Sequence, residues 1–137
     1  MITSRDLKDL LPRTAAKVAN MISHCKEAGI DLLVTATYRD DEAQDALFAQ
    51  GRTLMGKRVT NVRGGDSFHN YRVATDVVPI INGKCVWDDL TLWARVGAIG
   101  TQCGLEWGGY WKSFPDKPHF QDLNGFSLDQ YKRGDAK

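Results

Sequence analysis

The spacing of apolar positions changes several times along the chain, and each change predicts an element. Thr3 and Asp6 form a weak capping-box pattern ahead of Leu7, Leu10 and Leu11, which predicts a short first helix. Pro12 ends it and suits the first turn of a second helix. There Ala15, Val18, Ile22 and Cys25 recur at helical spacing until Gly29. Residues 31–38 (Asp-Leu-Leu-Val-Thr-Ala-Thr-Tyr) are rich in β-branched side chains and read as a strand. Asp40 caps a helix over 41–50 that stops at Gly51.

Periodicity then lapses. Residues 51–67 carry Gly51, Gly56, Gly64 and Gly65 among basic residues, a long loop of the functional or mobile kind. A second strand is predicted over about 71–81, with Asn82-Gly83 as a type I′ hairpin turn and 84–87 returning. Asp88 is expected to cap a helix carrying Leu92, Trp93, Val96, Ile99 and Cys103, closed by Gly104. Residues 105–107 and 119–121 read as short strands, and the polar tail 123–137 is expected to pack loosely.

Composition narrows the picture without changing it. A length of 137 residues predicts one domain over 1–137, with no separate binding module. Lys and Arg number 18 and Asp and Glu 17, so nothing in the balance predicts a nucleic-acid or anionic-membrane partner. No run approaches the roughly 20 apolar residues that span a bilayer. The first residues, Met1 to Asp6, lack the apolar core of a signal peptide. Cys25, Cys85 and Cys103 are odd in number and lack CxxC spacing, so free thiols in a reducing compartment are expected.

The candidate chemistry lies in two segments. His24, one of three histidines, has no carboxylate pattern around it and reads as structural. His69 enters from the loop, and Asp76 follows inside the apolar strand between Val73-Ala74 and Val77-Val78. A carboxylate there must be paired, metal-bound or on a solvent-facing side of the strand; this segment alone leaves those readings open. The second segment weights them toward a metal. Asp116 and His119 flank Pro118, which stiffens the backbone between them. His69, Asp76 and His119 supply the three protein ligands of a catalytic zinc shell, with one position left for water. Asp116 is then placed to take a proton from that water.

Ser67-x-His69-x6-Asp76 with Asp116-x-x-His119 resembles the VanY-type zinc peptidases. These are the D-alanyl-D-alanine carboxypeptidases and the L-alanyl-D-glutamate endopeptidases of bacteriophage endolysins. The likeness extends over most of the chain. It takes in Tyr38-Arg39 followed by Gln44, the Ile81-Asn82-Gly83-Lys84 turn before Trp87-Asp88-Asp89, and Trp107-Gly108-Gly109. It implies Zn2+ on His69, Asp76 and His119 and a catalytic acidic residue at Asp116. It also implies an arginine, Arg39, near the scissile carbonyl, a serine, Ser67, that binds substrate or supports the site, and Gln44 as a further substrate-binding candidate. Trp107 is a further groove-lining candidate, although aromatics beside glycines are more often core. One departure is Asn70-Tyr71-Arg72, where many relatives carry a glycine two or three residues after the histidine.

The resemblance implies an α+β fold whose small antiparallel sheet carries the zinc site, with helices mainly on one side. The expected activity is zinc-dependent hydrolysis of peptidoglycan stem peptides. An L-alanyl-D-glutamate endopeptidase ranks first, expected as a monomeric phage lysin made in the host cytoplasm and released to the wall through a membrane lesion. The alternatives are a D-alanyl-D-alanine carboxypeptidase or dipeptidase, and a non-catalytic zinc-containing cell-wall-binding module. Such a module would be expected to lose the base, and Asp116 is present.

Overall fold

A computed structural model describes residues 1–136. Leu7–Asp9 form one 3-10 turn, capped by Asp6, whose carboxylate accepts from Lys8 N at 2.9 Å. Thr3 takes no part in that cap and instead bridges Arg39. Helix α1 (Pro12–Glu27) buries Val18, Met21 and Cys25. Strand β1 (Asp31–Ala36) and helix α2 (Asp41–Ala49) follow, and Asp40 Oδ1 caps α2 by accepting from Ala43 N at 2.8 Å. The remaining elements are β2 (Ala74–Ile81), β3 (Lys84–Cys85), α3 (Leu90–Gln102), β4 (Glu106–Trp107), β5 (His119–Gln121) and α4 (Leu128–Lys132).

All strand pairs are antiparallel, in the order β1-β2-β5-β4, with β3 paired to the last residues of β2. Asn82 and Gly83 take φ of 53° and 76°, the two left-handed residues that a type I′ turn requires. Helices α1 and α3 cover one face of the sheet. Val18, Met21, Trp93 and Val96 meet Val77, Trp107 and Phe120 there. Close approach of α3 depends on two glycines. A Cβ on Gly97 would lie 2.3 Å from the Trp107 ring, and one on Gly100 2.4 Å from the Phe120 ring. The α+β architecture and its antiparallel sheet are those expected from the sequence.

Strand alternation decides what the other face receives. In β5, Phe120 points to the helices, so His119 and Gln121 point away from them. Cross-strand pairing sets Asp76 of β2 beside His119 and Glu106 of β4 beside Gln121. Directly paired residues share a face, so four polar side chains gather on the side opposite the core.

Several boundaries differ from expectation. Strand β2 begins at Ala74 because Phe68–Tyr71 wind into a 3-10 turn and Arg72 turns left-handed, with φ of 65°. The return strand β3 has only two residues; Trp87 beyond it is 50% exposed. Asp89, not Asp88, caps α3, accepting from Leu92 N at 3.0 Å. The tail is ordered rather than loose. Ser127 and Gln130 form a capping box for α4, and Tyr131 is buried with its ring about 6 Å from those of Phe68, Tyr71 and Phe126.

Outside the polar face, Asp122 is a buried carboxylate with a structural explanation. It accepts from Thr14 Oγ1 at 3.1 Å and pairs with Lys17 Nζ at 2.8 Å and Arg13 Nε at 3.3 Å, tying α1 to the end of β5. The three cysteines are free thiols. Burial pushes the Cys25 thiol up to about 11, which leaves it a packing residue rather than a nucleophile. Among the described residues, no helix is long and apolar enough to cross a membrane.

Candidate metal centre and active site

His69 reaches the site from the 3-10 turn, and Ser67 builds that turn. The Ser67 hydroxyl accepts from His69 N at 3.2 Å, while Asn70 Oδ1 accepts from Ser67 N at 3.1 Å. The Ser-x-His spacing is therefore a cap that aims a histidine. Asn70 Nδ2 also donates to Arg39 O at 2.8 Å, fastening the turn to the chain that carries the arginine. Arg72 occupies the left-handed position, a conformation that glycine adopts at lower cost. Its guanidinium lies 3.8 Å from the Tyr38 ring centroid and donates to Asp9 O at 2.9 Å, contacts that a glycine would lack.

His69, Asp76 and His119 converge as expected. Asp76 Oδ1 lies 3.2 Å from His69 Nε2 and 3.3 Å from His119 Nδ1, and the three ligand atoms lie within 4.8 Å of one another. The other nitrogen of each ring is engaged. His69 Nδ1 meets Thr37 O at 2.8 Å, and His119 Nε2 meets Gln121 Oε1 at 2.7 Å. Carbonyl oxygens only accept, so the protons sit on those outer nitrogens. Neutral rings then turn two lone pairs toward a carboxylate, an arrangement that calls for a cation among them.

The donor set fits zinc. Bonds of about 2.0–2.1 Å in a tetrahedron place donor atoms roughly 3.3 Å apart, close to the spacings from Asp76. Two imidazoles and one carboxylate match the catalytic class of zinc shell, which keeps a position open. Electrostatics agree. Burial opposes ionisation of Asp76, but the two histidines outweigh it and hold the carboxyl below the ordinary range. Burial likewise opposes charging of His119, and Asp76 overrides it, so the pKa of His119 is raised. Without metal the pair competes for a proton; a metal displaces that proton on binding.

The remaining groups line a groove over this centre. Asp116 stands on one wall, where its N–H donates to Gly108 O at 2.9 Å and its C=O accepts from His119 N at 3.2 Å. A Cβ on Gly108 would sit 2.4 Å from Asp116 O, which accounts for the glycine after Trp107. The Asp116 side chain keeps contact with solvent, yet burial by the walls raises its pKa, and Asp76 adds to the rise against His119, His69 and Arg39. Trp111 leans over His119 with ring centroids 5.3 Å apart, and Phe114 is 75% exposed at the rim.

Arg39 lines the same groove as Asp116. Its Nη2 lies 3.9 Å from Asp76 Oδ2, and its Nη1 donates to Gln44 Oε1 at 2.8 Å. Its Nε is buried without a partner among the described residues. Burial lowers the Arg39 pKa against the pull of Asp76 and Asp116, and the guanidinium stays charged. Gln44 is buried, and its Nε2 donates to Val62 O at 2.9 Å. It thus joins Arg39 to the loop that forms the second wall. Two basic residues of that loop are packed against α2. Arg52 and Arg63 stack on Phe48, at 3.9 and 4.9 Å from its centroid.

One candidate is displaced. Trp107 does not line the groove. It is buried on the helix-covered face, and its indole donates to Lys117 O at 2.7 Å, supporting the Asp116 segment from behind. His24 lies far from this chemistry, largely exposed and 3.7 Å from Glu27. Two participants escaped the sequence reading: Thr37 through its carbonyl, and Gln121. Gln121 carried a signal, because strand alternation puts it on the face of His119.

The chain is similar to peptidases of peptidoglycan. A family model described as D-alanyl-D-alanine carboxypeptidase matches residues 60–122. The peptidoglycan L-alanyl-D-glutamate endopeptidase CwlK of Bacillus subtilis (strain 168) is 36% identical over 122 residues, covering 82% of this chain and 73% of CwlK. The L-alanyl-D-glutamate peptidase of Listeria phage A118 is 27% identical over 133 residues, covering 94% of this chain and 44% of the phage protein. Among solved structures, a mutant of the vancomycin-resistance D,D-pentapeptidase VanY in complex with Zn(II) shares the fold. Its TM-score is 0.63 at 12% identity, over 90% of this chain and 76% of that one.

Proposed function

The chain belongs to the VanY-type metallopeptidase family, and on that premise we propose that it is a zinc-dependent L-alanyl-D-glutamate endopeptidase of peptidoglycan stem peptides. The observation that carries the proposal is the convergence of His69, Asp76 and His119 beneath a groove whose walls present Asp116 and Arg39. The choice of bond is supported by the likeness to CwlK and to the phage peptidase. The phage relative supports a role as a phage lysin, which on this proposal would be made in the host cytoplasm and released to the wall through a membrane lesion.

His69, Asp76 and His119 would hold the zinc, which when bound supplies a Lewis acid that polarises a peptide carbonyl and acidifies water. This chain's residues do the rest. The groove takes an extended peptide between the 59–62 loop wall and the Trp111–Phe114 wall. Asp116, its pKa raised by burial, accepts a proton from the attacking water and returns it to the leaving amine, so the C–N bond breaks without expelling an amide anion. Arg39, with an unpartnered Nε and a guanidinium held by Gln44, places fixed positive charge where the carbonyl oxygen becomes negative. Ser67 and Gln44 act through the groups they position.

Mass spectrometry of digested peptidoglycan decides the bond. A new N-terminal D-Glu on the released stem peptides is the expected product. Release of D-Ala with stems otherwise intact would replace the endopeptidase reading with a carboxypeptidase.

A further inference from the structure

His119 can offer Nδ1 to a cation only while its ring proton stays on Nε2. The group facing Nε2 is the side-chain amide of Gln121, 2.7 Å away. An amide has an accepting end and a donating end. With its carbonyl toward the ring, it draws the proton to Nε2 and frees Nδ1. With its NH2 toward the ring, it would force the proton onto Nδ1, into the space among His69, Asp76 and His119. Gln121 by itself does not choose between these orientations.

Glu106 chooses. It is the cross-strand partner of Gln121 on β4, the strand at the end of the sheet order, and its Oε2 accepts from Gln121 Nε2. An ionised carboxylate only accepts, so the Gln121 NH2 is committed to Glu106 and its carbonyl to His119. Glu106 is exposed, whereas Gln121 and His119 are buried. Its ionic surroundings do not explain it: Gln121 is the side chain it bonds among the described residues.

We propose that Glu106 is a positioning residue of the metal centre, which selects the metal-ready tautomer of His119 by fixing the orientation of the Gln121 amide. The chain Glu106–Gln121–His119 runs along one sheet face from the solvent edge to the ligand. It also passes negative charge toward the imidazole and so strengthens Nδ1 as a donor. This inference rests on the metal-centre reading above.

The test uses Glu106→Gln, which keeps the shape but can donate as well as accept, and Gln121→Met, which removes the amide. Ring 15N spectra of metal-free full-length protein, taken at alkaline pH where the imidazole is neutral, report the tautomer. Competition with a chromophoric chelator reports zinc affinity, and circular dichroism checks that each variant folds. Asp76 Oδ1, 3.3 Å from Nδ1, competes with Gln121 for the ring proton, so wild type should show His119 protonated mainly at Nε2 and Glu106→Gln should move the population toward Nδ1. Both variants should bind zinc about 10- to 100-fold more weakly, the usual effect of losing a partner of a metal ligand. An unchanged tautomer population and wild-type zinc affinity in Glu106→Gln would overturn the proposal. The spectra need no metal, so they decide the role of Glu106 separately; failure of wild type to bind zinc would overturn the metal centre instead.

Discussion

In the proposed enzyme His69, Asp76 and His119 would hold the cation, whereas Asp116 and Arg39 would act on the peptide, and single substitutions part the two jobs. His69→Ala should lose stoichiometric zinc by elemental analysis together with activity. Asp116→Ala should keep its zinc and lose about 10²–10⁴-fold in kcat, the usual worth of a general acid–base group. Arg39→Ala should lose about 10²–10³-fold, as for an oxyanion stabiliser. Zinc-free Asp116→Ala protein would mean that this carboxylate is a ligand and not a base. Asp76 and its histidines were legible in the sequence because their chemistry is costly where it stands, whereas Arg39 was reached through the family resemblance. An aspartate amid Val73, Ala74, Val77 and Val78 needs a partner, and histidines are scarce in this chain. Thr37 was not legible, because a carbonyl that orients His69 belongs to the backbone and has no side-chain signature. Trp107 misled because nearness to glycines does not say which sheet face a side chain takes; pairing with Phe120 puts it in the core.

At the level of elements, the site depends on how closely α3 lies against β4 and β5. Gly97→Ala would drive a methyl into the Trp107 ring and should cost about 1–3 kcal/mol in urea unfolding, the range for overpacked cores. Activity should fall with it, since Trp107 supports the backbone that carries Asp116. Asp89→Ala should cost about 1 kcal/mol by removing the α3 cap, while Asp88→Ala should leave the unfolding midpoint unchanged. The sequence placed the helices and strands well wherever periodicity was strong. It erred by one residue at the α3 cap, because two adjacent aspartates offer the same side chain and only backbone geometry separates them. It missed α4, whose Ser127-x-x-Gln130 cap was visible but whose aromatic partners, Phe68 and Tyr71, are brought to Tyr131 only by the fold.

On the scale of the whole molecule, the two faces of the sheet divide the work. One is closed by α1 and α3 around an apolar core; the other carries His69, Asp76 and His119 at a groove that Asp116 and Arg39 also line. The hydrophobic pattern made the first face legible. The second came from a few polar residues at family-like spacing, and the 59–62 wall was beyond reach because its contact with Gln44 joins a loop to a helix. Metal binding only to the folded state should stabilise the whole chain, by about 2.7 kcal/mol when free zinc is a hundredfold above its Kd. The thermal midpoint should therefore rise on adding zinc to metal-free wild type and stay still for His69→Ala. The most direct measurement is a titration of fully metal-stripped wild type with zinc, following hydrolysis of peptidoglycan. Activity should start at background and climb linearly to a plateau at one zinc per chain. Full activity in the stripped protein, unmoved by added zinc, would contradict a peptidase built on His69, Asp76 and His119.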